Sequence, residues 1–284
     1  GQTLARDHFE VIVVDNASSD DTPAAVERFH MGLSNLRYFR EDRLGLSMAR
    51  NTGYAAASAP YVVFLDDDAR AEPRCLESYL AAFEAVSPAP GAVGGRTWLD
   101  WEEGPPPWLP ERYWSVYSCL DYGDSGRFLN DDEYLVGANM AFRRDVLMDL
   151  GGFDLRLSRK GRNLLSGEEA ELVQRLRARG FPIYYSPGAS ARHRVPLYRK
   201  RRLWLCERMF WDGATGPLLD YGAGRARSFY IRQMLYDLKM GFYFLILWIL
   251  LSSRGKQEAG LDALVSFLRR AGRFRTDMML LVGR

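Results

Sequence analysis

The sequence contains few cysteines, and their spacing matches no known cysteine motif. Its 284 residues include only Cys75, Cys119 and Cys206, which lie far apart. A sparse, odd set of this kind fits neither a disulfide framework nor a metal or redox motif, so we expect a reducing compartment. No signal-peptide pattern is present at the start of the sequence. The composition is otherwise that of a folded protein, with 47% hydrophobic and 13% aromatic residues.

The glycine-rich motifs of the common nucleotide-binding folds are also missing. The sequence has no G-x-G-x-x-G and no G-x-x-x-x-G-K-[ST]. These absences argue against a Rossmann dinucleotide enzyme and against a P-loop NTPase. No internal repeat is visible either.

Long apolar runs are absent as well. The most apolar stretch, Gly241–Leu251, is flanked by Lys239 and Arg254. It falls short of the ~20 residues that a transmembrane helix needs, and whether it enters a membrane stays open. Farther on, an amphipathic stripe precedes a cluster of arginines, a combination that fits either the membrane interface or a helical subdomain packed on the main core. The stripe contains Leu261, Leu264, Val265 and Leu268, and the arginines are Arg269, Arg270, Arg273 and Arg275.

Charge is distributed unevenly along the chain. Residues 1–191 carry 20 Arg and Lys and 29 Asp and Glu, a balance of −9, whereas residues 192–284 carry 18 and 7, a balance of +11. The basic C-terminal region indicates an anionic partner, either lipid or nucleic acid. No nucleic-acid motif accompanies it, so we expect a peripheral contact with an anionic membrane and no nucleic-acid partner.

Strand and helix patterns alternate through the first two thirds of the chain. This alternation predicts an α/β fold with a mostly parallel sheet flanked by helices. We predict two domains, residues 1–195 and a basic, helical region at 196–284. Strands are expected at 9–14, 36–39, 61–65, 92–95, 183–185 and 189–195, and helices at 22–29, 46–57, from 73, at 145–150 and at 168–179. The segment 98–134 is predicted to be a long, partly ordered loop.

Three consecutive carboxylates follow the most apolar predicted strand, Tyr61–Leu65. They are Asp66, Asp67 and Asp68. Their mutual repulsion is costly, and a divalent cation would remove that cost because hard cations bind carboxylate oxygens. The C-terminal ends of strands are also where open α/β sheets bind ligands, and Asp15 follows an earlier strand at the same edge. The interpretation is a cation site for an anionic ligand, and its alternative is a solvated acidic turn.

Two later positions could complete such a site. Glu168 and Glu169 begin a predicted helix, where carboxylates either complement the helix dipole or serve as a general base. His193 lies near the end of a short strand, where its imidazole is either structural or a metal ligand.

Six motifs, in this order, resemble glycosyltransferase family 2, whose members have the GT-A fold. The first three are Val13–Asp20, Gly45–Gly53 and Phe64–Asp68, and the others are Gly137–Arg143, Gly151–Asp154 and Gly167–Glu169. The resemblance covers residues 9–195. It implies an inverting, metal-dependent glycosyltransferase that uses a nucleotide-diphosphate sugar, with Mg²⁺ or Mn²⁺ as cofactor and a glycan, a lipid or another hydroxyl compound as acceptor.

The resemblance also implies roles for individual residues. Asp15 would contact the nucleotide base, Asp66 the ribose, and Arg50 would lie near the nucleotide. Asp68 and His193 would bind the metal, with Asp67 beside the nucleotide site supporting its neighbours. Glu169 would be the catalytic base. We expect a cytoplasmic enzyme at the inner face of the cell membrane.

The sequence departs from the family at two points. A strand and a helix that usually precede the position of Phe9 are not found, and Glu168-Glu169 replaces the usual Glu-Asp pair. The first departure favours an alternative hypothesis, an inactive, truncated glycosyltransferase-like module attached to a membrane. An Asp-based phosphotransferase with Asp66 as nucleophile is the other alternative, although Ala69-Arg70 follows the acids and Lys160 is the only lysine before residue 196.

Overall fold

Two compact units form the chain in the computed structural model, which describes residues 1–159, 161, 163–222 and 224–283. The sheet unit comprises residues 1–102, 112–161 and 168–195, and the helical unit comprises residues 103–111, 162–167 and 196–284. Two short segments before residue 195, residues 103–111 and 162–167, group with the helical unit. The division into domains at residue 195 stays a prediction. Lys160 lies outside the described residues.

The sheet unit alternates strands and helices along the chain. Its strands are β1 (Val11–Asp15), β2 (Leu36–Arg40), β3 (Tyr61–Leu65), β4 (Ala69–Ala71), β5 (Ala92–Trp101), β6 (Arg127–Phe128), β7 (Asn139–Arg143) and β8 (Ile183–Val195). Its helices are α1 (Thr22–His30), α2 (Leu46–Ala56), α3 (Cys75–Ala85), α4 (Arg144–Leu150) and α5 (Glu168–Ala178). The predicted helices and strands are present, but the strands predicted at 183–185 and 189–195 are one continuous strand. β4, β6 and β7 were not predicted, and β6 lies within the segment predicted to be a loop.

Strand directions differ from the mostly parallel sheet that the sequence predicts. β1 pairs with β2 in parallel, and β5 pairs with β8 in parallel, but the β3–β7, β5–β7, β4–β8 and β6–β8 pairs are antiparallel. The order in the larger sheet is β3-β7-β5-β8-β4. Strand-and-helix alternation predicts parallel crossovers, but β7 and β4 follow loops rather than crossover helices, and these strands run antiparallel to their neighbours.

Helices cover both faces of the larger sheet because neighbouring residues of its strands point to opposite sides. Met140 and Phe142 of β7 contact a core that includes Leu172 and Leu176 of α5. Ala141, between them, contacts a second core formed with Cys75, Tyr79 and Phe83 of α3. Burial on both faces makes the sheet a rigid base for the loops at its edge.

The helical unit contains three long helices. They are α6 (Arg202–Gly222), α7 (Arg227–Ser253) and α8 (Gln257–Val282). The apolar stretch at 241–251 is thus part of a 27-residue helix, which is long and apolar enough to cross a membrane by length and composition. The prediction that this segment is too short for a transmembrane helix was wrong, because the helix extends 14 residues farther toward the N-terminus than the continuous apolar run.

Candidate functional site

Asp68 and His193 lie side by side because of a short strand pair. β4 pairs antiparallel with β8 so that Ala69 is opposite His193, and the Arg194 amide extends this ladder by donating to the Asp68 carbonyl at 2.8 Å. His193 Nε2 is 3.1 Å from Asp68 Oδ1. The strand missed in the sequence analysis therefore places the two predicted metal ligands together.

Asp66 completes a group of three side chains with ligand atoms. One ligand atom from each of Asp66, Asp68 and His193 lies within 4.8 Å of the other two. The two carboxylates are 28% and 26% exposed, so a ligand can reach them. Asp67, between them in sequence, is exposed and outside the group.

The donor types of this group fit Mg²⁺ or Mn²⁺. Carboxylate oxygens suit both cations, and a neutral imidazole can serve as an additional ligand. His193 is 3% exposed, and among the described residues its Nδ1 is buried without a hydrogen-bond partner. The other ring nitrogen, Nε2, faces Asp68. This nitrogen is therefore the one that would bind a cation together with the two carboxylates.

Arg50 connects this acidic group to the start of α5. Its Nη2 donates to Asp66 Oδ1 at 3.0 Å, and its Nη1 donates to Glu168 Oε1 at 2.8 Å. The Arg50 side chain is only 6% exposed. Burial alone lowers the pKa of Arg50, but the charges of Asp66 and Glu168 outweigh it and raise that pKa, so the guanidinium is a permanent cation here.

Two glycines leave room for Arg50 and for the helix that bears it. A Cβ on Gly137 would lie 2.8 Å from Arg50 Nη2, whose proton the Gly137 carbonyl accepts. Gly152 has a φ of +73°, and a Cβ there would lie 2.5 Å from Asn51 Oδ1. Asn51 in turn exchanges two hydrogen bonds with the backbone of Phe153. These contacts explain glycine in both motifs.

The two glutamates at the start of α5 are not equivalent. Glu168 is 3% exposed and is held by Arg50, whereas Glu169 is half-buried. The ion pair joins residues 118 positions apart, and no local pattern in the sequence indicates it. Sequence reasoning therefore missed the Arg50–Glu168 contact.

Asp15 lies at the end of β1 and organises the loop after it. Its carboxylate accepts hydrogen bonds from the Ser18 amide at 2.8 Å and from the Tyr38 hydroxyl at 2.7 Å, and Arg40 is 3.4 Å away. Burial raises the pKa of Asp15, but these hydrogen bonds and the Arg40 charge outweigh it, so the pKa is lowered. The side chain is fully buried among these partners, and its contact with a nucleotide base stays a prediction.

Helix α2 links the β1 end of the sheet unit to the acidic group. Asn16, next to Asp15, accepts a hydrogen bond from the Gly45 amide directly before α2. A Cβ on Gly53 of the same helix would lie 3.4 Å from Val14 Cγ2 of β1. β1 belongs to a two-stranded sheet separate from the sheet that holds β3, so, contrary to the prediction from the sequence, Asp15 and the acidic group do not follow strands of one sheet. Since α2 also carries Arg50, this helix connects the two positions.

Comparison with known proteins identifies a family and a fold. Residues 2–151 match the family described as Glycosyl transferase family 2. A glucosyl-dolichyl phosphate glucuronosyltransferase of Haloferax volcanii is 27% identical over 74% of this chain and 67% of its own length. A pre-mycofactocin glycosyltransferase of Mycobacterium tuberculosis is 32% identical over 73% of this chain and 42% of its own length.

One solved structure with the same fold is the crystal structure of GalNAc-T7 with UDP, GalNAc and Mn²⁺. It matches with a TM-score of 0.50 and 15% identity, over 72% of this chain and 44% of that protein. At this identity the similarity concerns the fold.

Proposed function

The chain belongs to glycosyl transferase family 2, and on that premise we propose that it moves a sugar from a nucleoside-diphosphate donor to a hydroxyl acceptor with inversion at the sugar carbon. The GT-A-type fold predicted from the sequence is confirmed by the fold comparison. The observation that carries the proposal is the connected group at the sheet edge, in which Arg50 joins the Asp66, Asp68 and His193 group to the helix that begins with Glu168-Glu169.

Asp66, Asp68 and His193 are the residues that would hold Mg²⁺ or Mn²⁺. Such a cation would stabilise the negative charge that develops on a diphosphate leaving group. The GalNAc-T7 crystal structure, with which this chain shares its fold, was solved with UDP and Mn²⁺, and this supports a nucleotide and a cation as ligands. Asp66 would also reach the ribose, with Asp15 at the base and Asp67 and Arg50 beside the nucleotide.

Glu169 is our candidate for the catalytic base. Inversion needs one base on the side opposite the leaving group, and it needs no protein nucleophile. Of the two glutamates, Glu168 is buried and accepts a hydrogen bond from Arg50, whereas Glu169 is only half-buried. The base would take the proton of the acceptor hydroxyl as that oxygen bonds to the sugar carbon and the diphosphate departs.

The proposed acceptor is a glycan or a lipid-linked hydroxyl compound, and the proposed location is the cytoplasmic face of the cell membrane. The similarity to a glucosyl-dolichyl phosphate glucuronosyltransferase supports a lipid-linked acceptor. The long apolar helix α7 supports a membrane location.

The test compares Glu169→Gln with Glu171→Gln, the same change two positions along the same helix. Nucleoside-diphosphate release from a panel of sugar donors would be measured with Mn²⁺ or Mg²⁺. We expect Glu169→Gln to lower kcat by about 10² to 10⁴ while the Kd for nucleoside diphosphate with Mn²⁺ stays within about two-fold, because a base acts in the transition state. Glu171→Gln should keep most activity.

Two outcomes contradict the proposal in different ways. Retention of kcat in Glu169→Gln would assign the base to another residue. Calorimetry showing no metal-dependent binding of any nucleoside diphosphate would overturn the transferase and favour the inactive module.

A further inference from the structure

Helix α7 presents a continuous apolar stripe to its surroundings. Six residues spaced by three or four positions share one face of the helix, which is the helical repeat. All six are 42–66% exposed, and we call them the α7 stripe: Ile231, Leu235, Leu238, Phe242, Ile246 and Ile249. At 1.5 Å per residue the stripe runs for about 27 Å. A soluble surface rarely exposes so long an apolar band without a partner.

Between residues 225 and 256 the exposed charged side chains are all basic. Asp237 is the only acidic residue of α7, and it is 1% exposed. Arg232 and Lys239 are exposed on the helix, and four more exposed basic residues lie at or near its ends, namely Arg225, Arg227, Arg254 and Lys256. An apolar band edged by cations is complementary to an anionic lipid surface, where long basic side chains reach the headgroups.

The opposite face of α7 packs against α8 along its whole length. Arg227, at the start of α7, donates to the Leu281 carbonyl near the end of α8. Near the middle, the Asp237 carboxylate accepts a hydrogen bond from Arg270. At the other end, Gly260 of α8 approaches Ser252 of α7. The two helices therefore form an antiparallel hairpin with contacts at both ends and near the middle.

Helix α8 is too highly charged to enter the hydrocarbon core of a bilayer. It contains Glu258, Asp262 and Asp277 together with Arg269, Arg270, Arg273 and Arg275. Helix α6 also packs against α8. Gly213 of α6 lies against the Arg269 backbone, and Gly272 of α8 lies against the Phe210 backbone. These contacts keep α8 away from the α7 stripe. If α7 crossed a membrane, it would carry these charges into lipid, which is costly.

We infer that α7 lies in the plane of an anionic membrane, with the α7 stripe in the lipid and α8 on the water side, and does not span the bilayer. This inference rests on the membrane location proposed above, and it is independent of the transfer reaction. It predicts that both ends of α7 are on the same side of the membrane. A spanning helix would separate them, because its roughly 38 Å between residues 228 and 253 exceeds a hydrocarbon core of about 30 Å.

The test is cysteine labelling of the full chain in sealed inside-out membrane vesicles from expressing cells. Single cysteines replace Ser228, Phe242 or Ser253, all exposed in the structure. Cys119 and Cys206 are changed to serine, and Cys75 remains because it is 0% exposed. A membrane-impermeant maleimide should label the Ser228→Cys and Ser253→Cys proteins from outside, and Phe242→Cys should label at least about ten-fold more slowly than in detergent.

Labelling of only one end before detergent is added would show a spanning helix and overturn the inference. Equal labelling of Phe242→Cys with and without detergent would show that the stripe is outside the lipid, and it would also overturn the inference. A transferase assay on the same preparations is unaffected by either outcome, so failure of this inference is distinct from failure of the proposed function.

Sedimentation with vesicles isolates the role of the α7 stripe. Phe242→Glu and Leu203→Glu place the same charge at apolar residues that are 66% and 68% exposed, one on the stripe and one on α6. We expect Phe242→Glu to weaken binding to phosphatidylglycerol vesicles at least ten-fold and Leu203→Glu to leave it unchanged. Wild-type binding that is equally strong to neutral phosphatidylcholine vesicles would contradict the requirement for an anionic surface.

Discussion

The sheet unit and the helical unit each hold a cluster of aspartates with arginines, and the two clusters differ in access. In the sheet unit, Asp66 and Asp68 are more than one quarter exposed, and the second faces a histidine. In the helical unit, Asp237 and Asp277 are fully buried between helices, and Asp237 is paired with both Arg270 and Arg273. The difference teaches that open access and mixed donor types distinguish a ligand site from an internal ion network.

Asp68→Asn tests the open cluster and has the largest expected effect. Loss of one carboxylate ligand should lower kcat/KM on the order of 10³-fold, about 4 kcal/mol, because the cation would no longer be held against the diphosphate. Steady-state kinetics across a Mn²⁺ titration provides the measurement. Asp67→Asn makes the same change at an exposed neighbour outside the group and should cost less than about ten-fold. Equal losses of kcat/KM in both variants would show that Asp68 has no special role as a cation ligand.

Arg50→Met tests the link between the acidic group and α5. The change keeps side-chain volume and leaves Glu168 as a buried, unpaired charge, so the free energy of unfolding should fall by about 3–4 kcal/mol. Urea denaturation measures it. Arg156→Met, which breaks the ion pair of a 55% exposed arginine with Asp154, should cost less than about 1 kcal/mol.

A double variant separates the ion pair from the packing of Arg50. Adding Glu168→Gln to Arg50→Met removes the unpaired charge and should restore most of the lost stability. The Arg50 guanidinium also lies over the Phe153 ring, 5.5 Å from its centroid. If the double variant is as unstable as Arg50→Met alone, the loss comes from this contact and not from charge.

Asp277→Asn tests the closed cluster and has the smallest expected effect. Burial raises the pKa of Asp277 to about 6, with Asp237 and Asp220 adding to the shift and Arg273 opposing it. A raised pKa means that the folded protein holds the proton more tightly than the unfolded chain. The stabilisation of the fold by protonated Asp277 is therefore greatest below the ordinary pKa of 3.8. It is lost as the pH rises through about 6, and the free energy of unfolding falls by about 2–3 kcal/mol.

The variant should lack this pH dependence. Denaturation at pH 4.5 and pH 7.5 should show Asp277→Asn more stable than wild type at the higher pH, by about 2 kcal/mol. Asp212→Asn, at a partly exposed acid of α6, is the control and should follow the wild-type profile. A wild-type profile with the same slope as Asp277→Asn would show that Asp277 is ionised in the fold.

Local patterns predicted much of the sheet unit but not its long-range pairings. The apolar run Tyr61–Leu65 and the proline that precedes α3 predict their elements because strand burial and helix initiation depend on neighbouring residues. β4 has only three residues and gives no pattern of its own, and its position depends on β8 more than 100 residues away. The antiparallel directions depend on distant partners in the same way.

The same contrast between local patterns and long-range contacts applies to the candidate site. Asp66, Asp68 and His193 were named from the sequence through motif order, and the structure places them within ligand distance of one another. Their functional roles stay predictions. The Arg50–Glu168 pair could not be found, since two residues 118 positions apart show no spacing that connects them. The 27-residue length of α7 was missed because its first turns contain Arg232, Asp237 and Lys239, which interrupt the apolar run.

The order of α7 and α8 in the chain has a consequence for synthesis. A ribosome extends the chain N-terminus first, so α7 emerges before the 26-residue helix that covers its inner face exists. At 5–20 residues per second, α8 follows after about one to five seconds. During that interval Asp237 lacks its arginine partners and both faces of α7 are uncovered. The nascent chain therefore has a brief exposure to aggregation that the completed hairpin removes, and nearby lipid or a chaperone would protect it during that time.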